Sequence, residues 1–433
     1  MKLRALIAFC ASVFPSCVAP ALAGPPTMRE FLGLCGHTVQ FKPALYAPVC
    51  GWVRDYHPVD WDLSGDTSVL PAWPEAKNRV NWQEVYGSWR AAGLKTTASL
   101  MFENIPREKW KNLLPDLKAY GQSFAREFGP GGSRKLLEAV EVGNEPGKWS
   151  DETYSEVLRA LTSGLRAGDP ALRIATCNLT TGKSHDYAKS VTCLTGLESS
   201  YDILNIHVYP QLDGWPTWKR SWPEDPALKN WTNEVQELCR WRDAHAAGKP
   251  VWITEYGYDA TTKSPDPKSE FAKWQGVSEK QQALWLVRST LLFAAMPVER
   301  AAIYFFNDSD EAQLHGASGL TRNFQPKPAY HATAHLLATL GDYHFDTLVE
   351  SKPGERIVQR YQHKTRPLEQ CLVIWRPTGD EGHKTMTIDI PASGPVKMSR
   401  TPLTPEKTTQ EFPASREVEV SGVPLFINYT RQM

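Results

Sequence analysis

The chain has 433 residues, and its 48 lysines plus arginines match its 48 aspartates plus glutamates, so its formal net charge is zero. That balance excludes the basic footprint of a nucleic-acid binder and the surplus charge that would draw a protein to a membrane surface. The length suits a barrel of roughly 250 to 300 residues with a smaller domain attached.

Residues 1–23 read as a cleavable export signal. Lys2 and Arg4 precede a short apolar run from Leu6 to Val18, and Ala21-Leu22-Ala23 is a small-x-small cleavage site. The run is too short to span a bilayer, and no later stretch is long enough. The expectation is a secreted or periplasmic protein without membrane insertion. After the signal, Cys35, Cys50, Cys177, Cys193, Cys239 and Cys371 remain. An exported chain permits disulfides, and the simplest local loops are Cys35–Cys50 and Cys177–Cys193, with buried thiols as the alternative.

From residue 30 to residue 340 strand-like and helix-like segments alternate. The strands are Phe31–Leu34, Gly51–Arg54, Lys95–Leu100, Val140–Val142, Arg173–Cys177, Ile203–Tyr209, Val251–Glu255 and Ala301–Phe306. The helices between them include Asn81–Ala92, closed by Gly93, then Pro106–Phe128, Ser150–Ala167 with its polar N-cap, Asn230–Ala247 and Ser278–Ala295. Eight such alternations predict a closed (β/α)8 barrel over 24–341. A doubly wound open sheet is the alternative, but no glycine-rich phosphate loop follows the first strand. Beyond Gly341 the pattern changes to short extended runs punctuated by Pro and Gly, from Ile357–Tyr361 to Leu425–Asn428. That predicts a small antiparallel β-sandwich over 342–433.

Two strands end in a glutamate: Val140-Glu141-Val142 runs into Gly143-Asn144-Glu145-Pro146, and Val251-Trp252-Ile253 into Thr254-Glu255-Tyr256-Gly257. Chemistry in a parallel barrel sits at the C-terminal strand ends, and a carboxyl pair flanking one bond is what glycosidic cleavage requires. Together with His207-Val208-Tyr209 on the sixth strand, these pieces resemble the retaining glycoside hydrolases of clan A, the superfamily that includes families 39 and 5. The resemblance implies Glu145 as general acid/base and Glu255 as nucleophile. It further implies that Asn144 bonds the sugar 2-hydroxyl, Tyr209 donates to Glu255, His207 lines the pocket and Arg54 holds the Glu255 carboxylate. His37, at the end of the first strand, is a further candidate. Many clan members place a tryptophan under the sugar on strand eight. Here Tyr304 or Phe306 stands in that stretch.

Other residues divide between function and packing. Glu103 and Asn104 follow strand three and could bind sugar hydroxyls or sit in a solvated loop. Trp215, Trp218 and Trp222 could wall a cleft or pack within their loop. Asp308 and Asp310 are weak metal candidates, and no metal-ligand spacing of His, Cys or acidic residues occurs. The expectation is an enzyme acting on a poly- or oligosaccharide with no metal and no cofactor. The alternative is a barrel that has lost catalysis and binds carbohydrate.

Overall fold

The computed structural model describes residues 24–37, 42–63, 65–379, 382–392, 394–406 and 409–432. The expected export signal lies outside the described residues. Eight parallel strands form the centre: β1 (Leu32–Gly36), β2 (Trp52–Pro58), β3 (Lys95–Met101), β4 (Ala139–Val142), β5 (Arg173–Thr180), β6 (Ile203–His207), β7 (Val251–Tyr256) and β8 (Arg300–Ile303). Each pairs with the next, and β8 pairs back onto β1, so the sheet closes on itself. Closure removes both edges and rules out the open doubly wound sheet.

Helices α1 (Trp82–Ala91), α2 (Leu113–Phe128), α3 (Asp151–Gly168), α4 (Thr232–His245), α5 (Glu279–Ala294) and α6 (Pro328–Leu340) pack outside the barrel. Local sequence sets their ends. Ser150 accepts the Thr153 N–H to start α3, whose Tyr154, Val157, Leu158, Leu161 and Leu165 are buried at helical spacing. Ser278 and Gln281 form a capping box at the start of α5. The helix expected from Pro106 begins only at Leu113. Pro115 is the reason: lacking an N–H, proline fits the first turn of a helix but not its interior.

After α6 the chain enters a six-stranded antiparallel sheet. Its members are β9 (Tyr343–Lys352), β10 (Arg356–His363), β11 (Glu369–Trp375), β13 (Val396–Arg400), β14 (Thr409–Phe412) and β16 (Leu425–Thr430), in the order β9-β10-β11-β16-β13-β14. A separate antiparallel pair, β12 (Lys384–Asp389) and β15 (Ser415–Val420), covers one face. Alternation gives each face its own core. Leu372, Ile374, Met398 and Ile427 pack with Val418 and Val420 of the two-stranded pair. Cys371, Val373, Trp375 and Phe426 join the core that continues into the barrel helices. Polar ties complete the junction: Trp375 Nε1 donates to Glu224 (2.7 Å) and Gln359 to the Leu291 carbonyl (3.1 Å).

The two expected disulfides are not formed. All six cysteines are buried free thiols, and Cys35 and Cys50 donate to the carbonyls of Thr254 and Tyr46 instead of to each other's chain segment.

Candidate active site

Strand alternation decides which side chains reach the barrel axis. On β2, Asp55 and His57 face outward, where Tyr86 donates to Asp55 (3.0 Å) and His57 pairs with Asp62 (2.6 Å). Trp52, Arg54 and Tyr56 face inward. Trp52 meets Trp252 at a centroid distance of 5.7 Å, with the Arg300 guanidinium over both rings, and this plugs the lower barrel. One layer higher, the fully buried Arg54 donates from Nε and Nη2 to the two oxygens of Glu141 (2.8 and 2.6 Å). Nη1 donates to Glu255 (3.0 Å), and Nη2 also to Asn144 Oδ1 (2.9 Å). An unpaired buried charge costs several kcal/mol. Glu141 neutralises Arg54 and fixes the plane of its fork, so the remaining nitrogen is aimed at Glu255.

Glu255 is the penultimate residue of β7 and is almost fully buried. Besides Arg54 it accepts from Tyr56 (2.6 Å, Oε1) and Tyr209 (2.7 Å, Oε2). Burial by itself pushes this carboxyl up. The neighbouring His207 ring, the Arg54 guanidinium and the two phenol hydrogen bonds outweigh burial and hold it at about 2. These donors favour the ionised form of Glu255.

Glu145 lies across the pocket on the loop after β4. Its side chain is 27% exposed against 7% for Glu255. His207, on the last residue of β6, stands between them, with Nδ1 2.9 Å from Glu145 Oε1 and 3.6 Å from Glu255 Oε1. One oxygen of each carboxyl and a ring nitrogen of His207 all lie within 4.8 Å of one another. Among the described residues this trio is the one acidic and histidine group close enough to share a cation. Its fit to a metal is poor: Glu255 Oε1 already accepts from Arg54 and Tyr56, and a second cation there would meet the guanidinium.

The other expected residues divide. Tyr304 faces the pocket, set edge-on against Tyr56 and Tyr209. His37 stacks on Tyr56 with centroids 4.9 Å apart, and burial lowers it to about 4, so it is neutral at pH 7. Phe306 lies elsewhere. It is fully buried and stacks on Tyr46 at 4.0 Å, because the chain leaves β8 at Ile303 and Phe306 turns into the outer core. Trp218 packs on Phe271 and Trp222 against Gly379, whereas Trp215 is 74% exposed at the turn of the 211–220 hairpin. The oxygens of Asp308 and Asp310 are taken by Lys327, Arg322 and Thr262. Asn104 donates to Asp60 at the surface.

Four site residues were not singled out from the sequence in the places they occupy. Tyr56 and Glu141 carried a signal, since each lies on the inward face of its strand and Glu141 is a charge between two valines. His315 gave none. It arrives from the loop after β8 to meet Tyr209 (4.9 Å) and Tyr304 (5.2 Å), and burial together with Arg220 lowers it to about 4. Glu103 reaches back from β3 to accept the backbone N–H groups of Asn144 (2.6 Å) and Glu145 (3.1 Å). A separate groove of about 1050 Å³ lies between barrel and sheet, lined by Trp222, Trp285 and Gly379, and neither Glu145 nor Glu255 borders it.

No family model matches the chain, and no curated protein does. Solved structures do. A family 39 glycoside hydrolase from Bacteroides cellulosilyticus WH2 superposes with a TM-score of 0.68 at 16% identity, covering 93% of this chain and 82% of its own. A glucosidase from Croceicoccus marinus gives 0.67 at 13% identity, covering 94% and 97%. An α-L-arabinofuranosidase from Thermotoga maritima gives 0.58 at 11% identity, covering 89% of each chain. At these identities the likeness is one of fold, and it extends over barrel and sheet together.

Proposed function

We propose that the chain is a retaining O-glycosidase acting on a poly- or oligosaccharide. One observation carries the reading. Glu255, ionised and held by three donors, faces the more open Glu145 across His207, with an oxygen of each carboxyl inside 4.8 Å. Retaining enzymes keep their two carboxyls about 5 to 5.5 Å apart, whereas inverting ones leave ~6.5–9.5 Å for a water. The glycoside hydrolases that share this fold support the same reading.

In the first step a Glu255 oxygen attacks the anomeric carbon as the glycosidic C–O bond breaks. Glu145 gives its proton to the departing oxygen, leaving a glycosyl ester on Glu255 and an ionised Glu145. In the second step Glu145 takes a proton from water, the water oxygen bonds to the anomeric carbon, and the ester C–O bond breaks. Both glutamates return to their starting states. Tyr56, Tyr209 and Arg54 keep Glu255 a carboxylate and orient it. Asn144, with Oδ1 held by Arg54, has its amide hydrogens left for the sugar 2-hydroxyl. Tyr304, His37 and His315 provide uncharged faces for the ring. The reading of residues 1–23 as an export signal supports a place outside the cytoplasm, where such polymers occur.

The test is a panel of aryl glycosides compared between wild type and Glu145→Gln. The reading expects hydrolysis of at least one by the wild type. In the variant, poor leaving groups should lose far more rate than activated ones. A wild type inert on the whole panel and on a set of polysaccharides would leave the binding-only alternative standing.

A further inference from the structure

Glu103 is a carboxyl that the mechanism above does not use. It sits in a single 3-10 turn, Phe102–Asn104, directly after β3. Its Oε1 accepts two consecutive backbone N–H groups, those of Asn144 and Glu145. Its Oε2 is enclosed and has no hydrogen-bond partner among the described residues. Gly143 makes this approach possible. It has a φ of +83°, which favours glycine, and a Cβ there would stand 2.8 Å from Phe102 and 3.3 Å from Glu103 Oε2. The loop that carries Glu145 is thus clamped from the neighbouring strand by a side chain that is itself an acid.

A clamp of this kind does not need a charge, since a glutamine or a backbone carbonyl would accept the same two N–H groups. A carboxyl adds an ionisable group beside another. The groups that face it are the Glu145 carboxyl from the β4 loop and, behind it, the Cys177 thiol of β5. No ion pair among the described residues compensates Glu103. Two carboxyls in one poorly solvated region resist being ionised together.

We infer that Glu103 is a positioning residue: its carboxyl clamps the backbone of the Glu145 loop and so aims the acid/base, and it responds to the charge that Glu145 carries. This rests on the glycosidase reading. When Glu145 has given its proton to the leaving group, a neutral Glu103 adds no second negative charge beside it. Burial is the main influence raising Glu103, to about 7, and the Glu145 charge adds to it.

The experiment compares wild type, Glu103→Gln and Glu103→Ala on the best aryl glycoside of the panel, from pH 4 to pH 9. Glu103→Ala should lower kcat for poor leaving groups by roughly tenfold to a hundredfold, the loss typical of a misplaced catalytic group, with KM little changed. Glu103→Gln should recover most of that loss below pH 6, because its carbonyl oxygen can accept both N–H groups. Its alkaline limb should nevertheless shift from the wild-type position by half a pH unit or more. A purely structural residue would be rescued by glutamine at every pH. A Glu103→Gln profile superimposable on wild type would overturn the coupling, and a fully active Glu103→Ala would overturn the positioning.

A second readout needs no activity. Because the Glu103 pKa is raised on folding from 4.5 to about 7, the native state binds more protons than the unfolded state between those values. Its contribution to stability is full below pH 4.5 and falls as pH rises through 7. The difference in melting temperature between Glu103→Gln and wild type should change over that window and be flat outside it. Introducing Glu145→Gln should move the window down. A flat difference throughout would count against the inference even if the glycosidase reading had failed for want of a substrate.

Discussion

Arg54 carries the heaviest electrostatic load in the site, since it neutralises Glu141 and orients Glu255 and Asn144 at once. Arg54→Ala leaves Glu141 buried without a partner, so unfolding should show a loss of about 3–5 kcal/mol. Arg54→Lys should not restore activity, because an ammonium cannot reproduce the fork that grips Glu141. Tyr56 and Tyr209 each donate a hydroxyl to Glu255. Removing either hydroxyl takes away a hydrogen bond that favours the carboxylate, so the nucleophile pKa rises. In Tyr56→Phe and Tyr209→Phe the acid limb of kcat/KM should therefore move up by about one unit each, at 1.36 kcal/mol per unit. An unmoved acid limb would mean that another group sets it. Mass spectrometry after reaction with a fluorinated glycoside should find the label on the peptide holding Glu255, and Glu255→Ala should take up none. Azide should partly rescue Glu145→Ala. At this scale the sequence was most legible where residues stood next to a strand end: Asn144, Glu145, Tyr209 and Glu255. It was least legible where the partner comes from another strand. Nothing in the linear chain pairs Arg54 with Glu141, 87 residues away, or aims Glu103 at the Glu145 loop.

Elements were legible wherever periodicity and punctuation agreed. The eight barrel strands and the capped helices α3 and α5 follow from apolar spacing and Ser N-caps. Boundaries shifted where one residue overrode the pattern, as Pro115 did for α2. Phe306 was misplaced for a related reason: an apolar run gives no sign of where the chain leaves the strand, and two residues of error move a side chain from pocket to core. The C-terminal sheet was visible only as a change of rhythm. Its two-faced packing now explains why β11 and β16 are apolar on both faces. Trp375 tests the junction, since it is fully buried and donates to Glu224 of the barrel. Trp375→Ala should cost about 3–5 kcal/mol, and deletion of residues 342–433 should yield insoluble barrel, because the helix surfaces around Leu291 and Phe293 would be bared. A soluble and fully active truncation would make the sheet an independent module.

For the molecule as a whole, the barrel brings strand ends from β2, β4, β6 and β7 to one mouth, where the proposed mechanism draws on side chains. Arg54 stands beside Glu255 where a metal would otherwise balance its charge. Activity is accordingly expected to survive prolonged EDTA treatment and dialysis. Loss on chelation with recovery on adding a divalent ion would require a different mechanism. The equal numbers of basic and acidic residues provide no long-range field to steer a charged polymer, so rates on neutral glycans should depend little on ionic strength. The central claim is that two carboxyls act in succession on one anomeric carbon. Proton NMR of the first-formed product from a glycoside of known configuration tests it most directly. The account predicts that the initial product keeps the anomeric configuration of the substrate and only later mutarotates. An initial product of inverted configuration would contradict it.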